Sequence, residues 1–172
     1  MIEEVRDMLA KILSKRECAE CKICCSFDSY DLWETPVVTD EVMKRSLEVK
    51  PDQRFADVDG TRLYFMEKEP DIDLYYCPML DHSKGCLLGD DKPFDCRIWP
   101  FRIMRFEGRR VIVISPVCPT VFKKPISEIR DLAYELAPVI FAEADRNPQL
   151  VKPYIAGYPI MLAEDKSKLS AE

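Results

Sequence analysis

Hydrophobic residues recur at helical spacing near the start of the chain and predict an amphipathic helix there. This N-terminal helix is expected to occupy 1–16, because charged residues separate its apolar positions and the pattern stops near Ser14 to Arg16. It would lead the chain directly to its first cysteine. The apolar positions are Ile2, Val5, Leu9, Ile12 and Leu13.

Two further segments show helical spacing. The first begins at Thr39 or Asp40, since either side chain can cap a helix, and it must end before Pro51. The second extends over 125–146, where a proline favours the helix start and Pro138 is expected to kink or split the helix. Its core positions are Ile126, Ile129, Leu132, Ala133, Leu136, Ile140 and Phe141.

Two β-hairpins are predicted from their turns, Asp59-Gly60 and Glu107-Gly108. The second hairpin contains the continuous β-branched run 111–114, which strongly favours a strand. The predicted strand pairs are 54–58 with 61–66, and 101–106 with 109–115.

The remaining pattern defines the fold class. Pro148, Pro153 and Pro159, with apolar residues between them, predict an extended tail laid over the domain and ending in a frayed charged terminus. The chain shows neither an internal repeat nor a linker, and 172 residues fit one domain. We therefore expect a single small α+β domain over 1–172, with helices flanking short antiparallel β-hairpins.

Composition and charge exclude several classes of protein. Hydrophobic residues at 47% and charged residues at 33% are typical of a folded domain. The net charge of −6 argues against nonspecific nucleic-acid binding, although Arg102, Arg105, Arg109 and Arg110 could form a local basic patch. A charged N-terminus and the lack of an apolar run of about 18 residues predict a cytoplasmic protein without a membrane span.

The strongest chemical signal is a set of eight cysteines. In a reducing compartment they are expected to be metal ligands or redox thiols rather than a disulfide framework. Cys18, Cys21, Cys24 and Cys25 form a CxxCxxCC motif, whose two-residue gaps let successive sulfurs converge on one metal. Adjacent Cys24 and Cys25 should project in different directions, so one of them is expected to serve a second site or a role other than ligation.

Cys77, Cys86, Cys96 and Cys118 complete the set of candidate metal ligands. They lie beside turn-forming residues, which can aim sulfurs inward. Cys77 and Cys118 each precede a proline, as does the last ligand of bacterial ferredoxin motifs. Eight sulfurs could form two four-cysteine sites, or one four-cysteine cluster with an accessory metal or redox pair, and the spacing does not decide between these arrangements.

Other residues add less to the chemistry. His82, the single histidine, lies in a polar turn and is expected at the surface, which leaves little material for hydrolases that need a histidine base. Arg97 could hydrogen-bond a cluster sulfur or bind an anionic substrate. It could equally form an ion pair with an acidic side chain at the surface. Trp99 and Phe101 are expected in the core, where they could also shield a metal from water.

Taken together, these motifs resemble the YkgJ-type cysteine-cluster family, described as a zinc- or iron-chelating CxxCxxCC domain. The resemblance covers 18–118. Lys92 stands where the family usually has arginine, and Leu88-Gly89 where an isoleucine-tyrosine pair is common. The matching elements after CxxCxxCC are Cys77-Pro78-Met79-Leu80, Gly85-Cys86, the stretch KPFDCRIWPF at 92–101, and Cys118-Pro119.

The resemblance implies that the cysteines chelate metal. An iron–sulfur cluster, of the 4Fe–4S type, is slightly favoured over zinc, because three successive cysteine ligands and a remote Cys-Pro are typical of cluster binding. Such a cluster could support electron transfer or protein modification, since the family is distantly similar to the cysteine region of flagellin lysine N-methylase, which looks like an iron–sulfur protein acting with S-adenosylmethionine. The chain carries no GxGxxG loop, so methyl transfer is the lesser hypothesis.

Two alternatives remain, and neither requires catalysis. In the first, zinc holds together a structural module that binds a protein partner, and its removal unfolds the chain. In the second, the protein delivers exchangeable metal ions to another protein. Whether the chain is an enzyme is therefore open at this stage.

Overall fold

The chain forms an α+β structure, as its sequence predicts. The computed structural model describes residues 2–14, 17, 20–69 and 71–165. Within them lie four α-helices: α1 Ile2–Leu9, α2 Asp40–Val49, α3 Phe94–Arg97 and α4 Ile126–Arg146. The strands are β1 Ser26–Phe27, β2 Phe55–Val58, β3 Thr61–Tyr64, β4 Lys68–Glu69, β5 Leu74–Tyr76, β6 Leu80–Asp81, β7 Gly85–Cys86, β8 Phe101–Phe106, β9 Arg109–Ile114, β10 Lys152–Pro153 and β11 Ile160–Ala163.

The largest sheet is built on the predicted hairpin β8–β9. Glu107 and Gly108 form its turn with φ values of 48° and 75°, which is the backbone of a type I′ turn and suits the twist of the two strands. The sheet has the order β10-β8-β9-β11, in which β10 pairs parallel with β8 and β11 antiparallel with β9. The sequence predicts only that the tail is extended over the domain. In the structure the tail also supplies both edge strands of this sheet.

Both faces of this sheet are covered. Side chains alternate along β8 and β9, so Phe101, Ile103, Ile112 and Ile114 face the helices while their neighbours face the other way. The helical side of this core includes Leu132, Leu136 and Ile140 of α4 together with Val5 and Leu9 of α1. Met104, Val111, Val113 and Tyr158 form a smaller cluster on the opposite face.

Two helix predictions need correction. The regular part of α1 ends at Leu9, and the chain then continues in turns as far as Leu13, whose N–H donates to the Leu9 carbonyl at 2.9 Å. The last two positions of the predicted helix, 15 and 16, lie outside the described residues. Helix α4 is continuous through Pro138, so the prediction of a split there is wrong.

A second, smaller core lies beneath α2 and the short strands. Helix α2 begins where predicted, and the Thr39 hydroxyl accepts a hydrogen bond from the Val42 N–H as an N-cap. The hairpin β2–β3 also forms as predicted, while the sheet β1-β5-β4 and the hairpin β6–β7 complete this region. The core residues are Phe27, Val38, Val42, Tyr64, Met66, Met79 and Leu88.

Truncation of Leu136 tests the packing of α4 on the sheet. We expect Leu136→Ala to lower the free energy of unfolding by about 2–5 kcal/mol, because this fully buried side chain would leave a cavity. The matched control is Tyr134→Ala on the same helix, where the side chain is 61% exposed and the change should stay within about 0.5 kcal/mol. Urea unfolding of both variants gives the comparison, and equal losses would contradict the packing described.

No helix in the described ranges is both long enough and apolar enough to cross a membrane.

Candidate metal centre

Strand pairing brings Cys25 and Cys77 together. β1 follows a single 3₁₀ turn, Ile23–Cys25, and pairs antiparallel with β5 so that Ser26 lies opposite Tyr76. The next pair along the ladder is Cys25 with Cys77, and the Cys77 N–H donates to the Cys25 carbonyl at 2.9 Å. Two cysteines that are distant in sequence therefore become neighbours through a backbone ladder.

The sulfurs of Cys24 and Cys25 lie 4.0 Å apart. The prediction that these adjacent side chains project in different directions is therefore wrong. The reason is local backbone geometry, because Lys22 has a φ of 52° and the following 3₁₀ turn folds both side chains to the same side. For comparison, two thiolates on one tetrahedral zinc ion are about 3.8 Å apart, given a Zn–S distance of about 2.3 Å.

The electrostatic effects of the thiols on one another link Cys24, Cys25, Cys77 and Cys96, and Cys86 also acts on Cys77. A hydrogen bond with Cys24 raises the pKa of the Cys25 thiol, and burial and the charges of Cys24, Cys77 and Cys96 raise it further. Burial raises the pKa of Cys96 well above its ordinary value, and the charges of Cys77 and Cys24 act in the same direction. We call Cys24, Cys25, Cys77 and Cys96 the inner thiol group.

The two Cys-Pro motifs share a local hydrogen-bond pattern. Burial raises the pKa of Cys77 to about 12, but the Met79 N–H donates to the sulfur and opposes this rise. Burial also raises the pKa of Cys118, and the N–H groups of Val121 and Thr120 oppose it in the same way. In both motifs the amide two residues after the cysteine stabilises the thiolate, which is the form that binds metal.

The other cysteines lie around the inner thiol group or near Cys118. Cys86 is exposed, stands opposite Leu80 in the β6–β7 pair, and raises the pKa of Cys77 through its charge. Cys21 is also exposed, and its charge raises the pKa of the buried Cys118. Cys18, predicted as a ligand, lies outside the described residues. The seven cysteines in the described part of the chain are all free thiols.

Positive charge offsets the thiolates of the inner thiol group. A hydrogen bond from Cys25, together with the charges of Arg102 and Lys92, lowers the pKa of Cys24 to about 7 against the opposing effect of burial. The sequence leaves open a local basic patch that includes Arg102, but Arg102 is only 2% exposed and therefore contributes to no surface patch. Its burial follows from the alternation along β8, which places it on the same face as Met104.

Arg102 belongs to a buried polar network that sequence analysis did not predict. Its guanidinium donates to the Asp95 carbonyl at 2.9 Å and lies 3.5 Å from the Glu34 carboxylate. Lys152 lies 3.4 Å from the Asp95 carboxylate and donates to the Thr35 carbonyl at 2.9 Å. The Asp95 carboxylate also accepts the Val37 N–H at 2.9 Å. Since Asp95 precedes Cys96 on α3, the network holds that cysteine in place.

The residues fit a thiolate-bound metal in their chemistry. The sulfurs of Cys24 and Cys25 lie 4.0 Å apart and Cys77 is bonded to Cys25 through the backbone, while backbone amides and cations favour the charged forms of these thiols. Sulfur is the ligand that zinc and iron–sulfur clusters prefer. No three or more His, Cys, Asp or Glu side chains within the described residues are arranged to hold an ion. Any centre formed here would therefore require the thiol side chains to move closer together.

Three further sequence predictions can be compared with the structure. His82 is exposed, as predicted, and its ring meets the Tyr76 ring edge-on. Trp99 and Phe101 are buried in the main core as expected, and Trp99 also hydrogen-bonds the Cys118 sulfur. Arg97 forms no ion pair with the residues that the structure describes; its guanidinium lies 5.4 Å from the centre of the Phe94 ring, and its Nε is buried without a hydrogen-bond partner among them.

The turn between Cys77 and Cys86 gives a pH-dependent prediction. The Ser83 hydroxyl and the N–H groups of Ser83 and Lys84 donate to the Asp81 carboxylate, which lowers the pKa of Asp81 to about 2. Because this folded pKa lies below the unfolded value of about 3.9, the stabilisation exists above that value and is lost as the pH falls through about 2. We expect a carbon-13 NMR titration to give a pKa near 2, and Ser83→Ala to raise it. A wild-type value near 3.9 would contradict the turn.

Comparison with known proteins identifies no relative. No family model matches the chain, and neither the curated proteins nor the solved structures include a match.

Proposed function

We propose that this chain is a cysteine-ligated metal protein of the YkgJ type, in which the inner thiol group holds an iron–sulfur cluster or a zinc ion. The observation that carries this proposal is that the Cys24 and Cys25 sulfurs lie 4.0 Å apart and Cys77 bonds to Cys25 through the backbone, while Cys96, from a third segment, acts on Cys25 through its charge. Packing alone does not require four thiols to meet, since any small apolar side chain could fill the same space.

The surroundings of the inner thiol group support a charged ligand set. Arg102 and Lys92 act on Cys24 and Cys96, and Lys50 acts on Cys77, in each case lowering the thiol pKa. These cations would compensate the negative charge of several thiolates in a poorly hydrated place. The Met79 amide would do the same for Cys77.

An iron–sulfur cluster remains slightly favoured over zinc. The CxxCxxCC segment and the Cys77-Pro78 motif resemble cluster-binding sequences, and such a cluster, when bound, would supply one-electron transfer. The protein's own residues would determine its environment: burial of the thiols limits water, and hydrogen bonds to sulfur tune the potential. Electron transfer or protein modification is the function proposed for this form.

The alternatives are a structural zinc module and a metal-delivery protein. The observation that favours delivery is the exposure of Cys21 and Cys86 beside less accessible thiols, because an exchangeable ion needs a ligand that another protein can reach. In this arrangement Cys21 and Cys118 would form a second thiol set, separate from the inner thiol group.

Elemental analysis of anaerobically purified protein tests the proposal. Iron, zinc and acid-labile sulfide should be measured on one sample together with its absorption spectrum. Iron with sulfide supports the cluster form, while zinc without sulfide supports the structural or delivery form. Rapid exchange of bound zinc with added cadmium would distinguish delivery from a closed structural site. Anaerobic protein that contains no metal would overturn the proposal.

A further inference from the structure

A cleft of about 820 Å³ lies beside the segment that carries Cys96. Its walls come from the start of α2, the β2–β3 hairpin, the segment around α3, and the end of α4. The volume falls within the range of small-molecule sites, roughly 300–1,000 Å³. None of the residues that line the cleft is a proposed metal ligand.

Most charged residues in this cleft already have partners. Arg45 binds Glu48 and Asp91, with nitrogen–oxygen distances of 2.7 and 2.9 Å. The cleft also contains the ion pairs Arg62 with Asp40, at 2.5 Å, and Arg146 with Glu143, at 2.7 Å. These cations are held by the protein and are less available to a ligand.

Two cations on the α3 side of the cleft differ from these ion-paired arginines. Within the described part of the chain, Lys92 and Arg97 make no ion pair, yet both line the cleft. The Arg97 guanidinium is fixed by stacking 5.4 Å from the centre of the Phe94 ring. Its Nε is buried without a hydrogen-bond partner, a condition that costs free energy and requires an explanation in a native structure.

The other walls together carry six acidic and four basic side chains. Glu41 and Lys44 lie three residues apart on α2, so their charges offset one another. Asp57 uses its carboxylate to accept the Gly60 N–H at 2.9 Å within the β2–β3 turn. The cleft as a whole is lined by six acidic and six basic side chains, so the positive charge of Lys92 and Arg97 is a local feature of one wall.

We infer that this cleft binds a small organic oxyanion, a molecule carrying a phosphate or carboxylate group, through Arg97 and Lys92. A guanidinium presents paired N–H donors that match the oxygens of either group, and its stacking on Phe94 holds the donors in position before binding. Because the Nε is itself buried, the terminal amino groups of the guanidinium would be the donors to a ligand. The inference concerns anion binding alone and needs no metal in the inner thiol group, although Lys92 also acts on the thiols of Cys24 and Cys96.

The test is a titration at constant ionic strength with inorganic pyrophosphate and, separately, with citrate. The Arg97 Nε–Hε signal in nitrogen-15 NMR reports on the state of the guanidinium, and calorimetry gives the dissociation constant and stoichiometry. We expect saturable binding of one anion per chain and a shifted Arg97 signal. Binding of pyrophosphate alone would assign a phosphate ligand, binding of citrate alone a carboxylate ligand, and either supports the inference.

Matched variants make the test specific. Arg97→Gln should weaken binding about tenfold or more, as expected for loss of a charge-assisted hydrogen bond. Arg97→Lys keeps the charge without the paired donors and should bind less tightly than wild type, which gives a second measurement if Arg97→Gln folds poorly. Arg105→Gln makes the same charge change outside the cleft and should bind within about twofold of wild type.

Two outcomes would overturn the inference. One is the absence of saturable binding of either anion to wild-type protein. The other is equal weakening by Arg97→Gln and Arg105→Gln, since that would mean general attraction to positive charge. Metal content, measured on the same samples, separates this test from that of the proposed function, because either result can fail while the other holds.

Discussion

Cys96→Ser should remove metal from the anaerobically purified protein. A serine oxygen is a poor ligand for the soft metals that thiolates bind, and Cys96 is the inner thiol contributed by α3. Loss of a group that only supports a ligand already weakens metal binding by about 10–100-fold, so loss of a ligand should have at least that effect. Iron, zinc and sulfide per chain give the measurement.

Cys118→Ser provides the matched control for this variant. Cys118 is buried and lies near Cys21, so its loss should leave metal in the inner thiol group. Circular dichroism of both variants verifies that each has folded. The partition of the thiols would be refuted by a Cys96→Ser protein with full metal content and a Cys118→Ser protein with none.

Lys152→Met should lower the free energy of unfolding by about 3–5 kcal/mol, because it leaves the Asp95 carboxylate buried without its cation. The side chains of Lys152 and Asp95 are only 3% and 1% exposed, so water cannot replace the lost partner. Burial also lowers the pKa of Lys152, which shows how poorly this position is hydrated. Urea unfolding at equal metal content measures the loss.

An exposed ion pair supplies the control for Lys152. Lys68 and Asp73 lie 2.6 Å apart at the surface, so Lys68→Met should cost at most about 1 kcal/mol. The double variant Lys152→Met, Asp95→Asn removes both buried charges and should recover part of the loss. If Lys152→Met were no more damaging than Lys68→Met, the buried network would not stabilise the fold as described.

Local rules explain which parts of the fold could be predicted. The two hairpins follow from Asp59-Gly60 and Glu107-Gly108, where both turn residues have positive φ, and α2 follows from its cap and apolar spacing. The edge strands β10 and β11 are short, and prolines interrupt the tail, so only contact with the β8–β9 hairpin makes them strands.

The candidate site was harder to predict than the fold. The sequence indicates eight thiols, but their grouping depends on long-range pairing between β1 and β5, which no local pattern shows. The orientation of Cys24 and Cys25 depends on the left-handed backbone at Lys22, which that residue type rarely adopts. Buried charges such as Lys152 are also missed, because charged residues normally lie at the surface.

The pairing of Cys25 with Cys77 across β1 and β5 has a consequence for protein synthesis. The ribosome makes about 5–20 residues per second, so the CxxCxxCC thiols exist for roughly 3–10 seconds before Cys77 is even made. During that interval a nascent chain carries an incomplete set of thiols that is open to metal or oxidant. If the inner thiol group binds metal as proposed, its loading has to wait for β5, and the later cysteines are the ones that complete the centre.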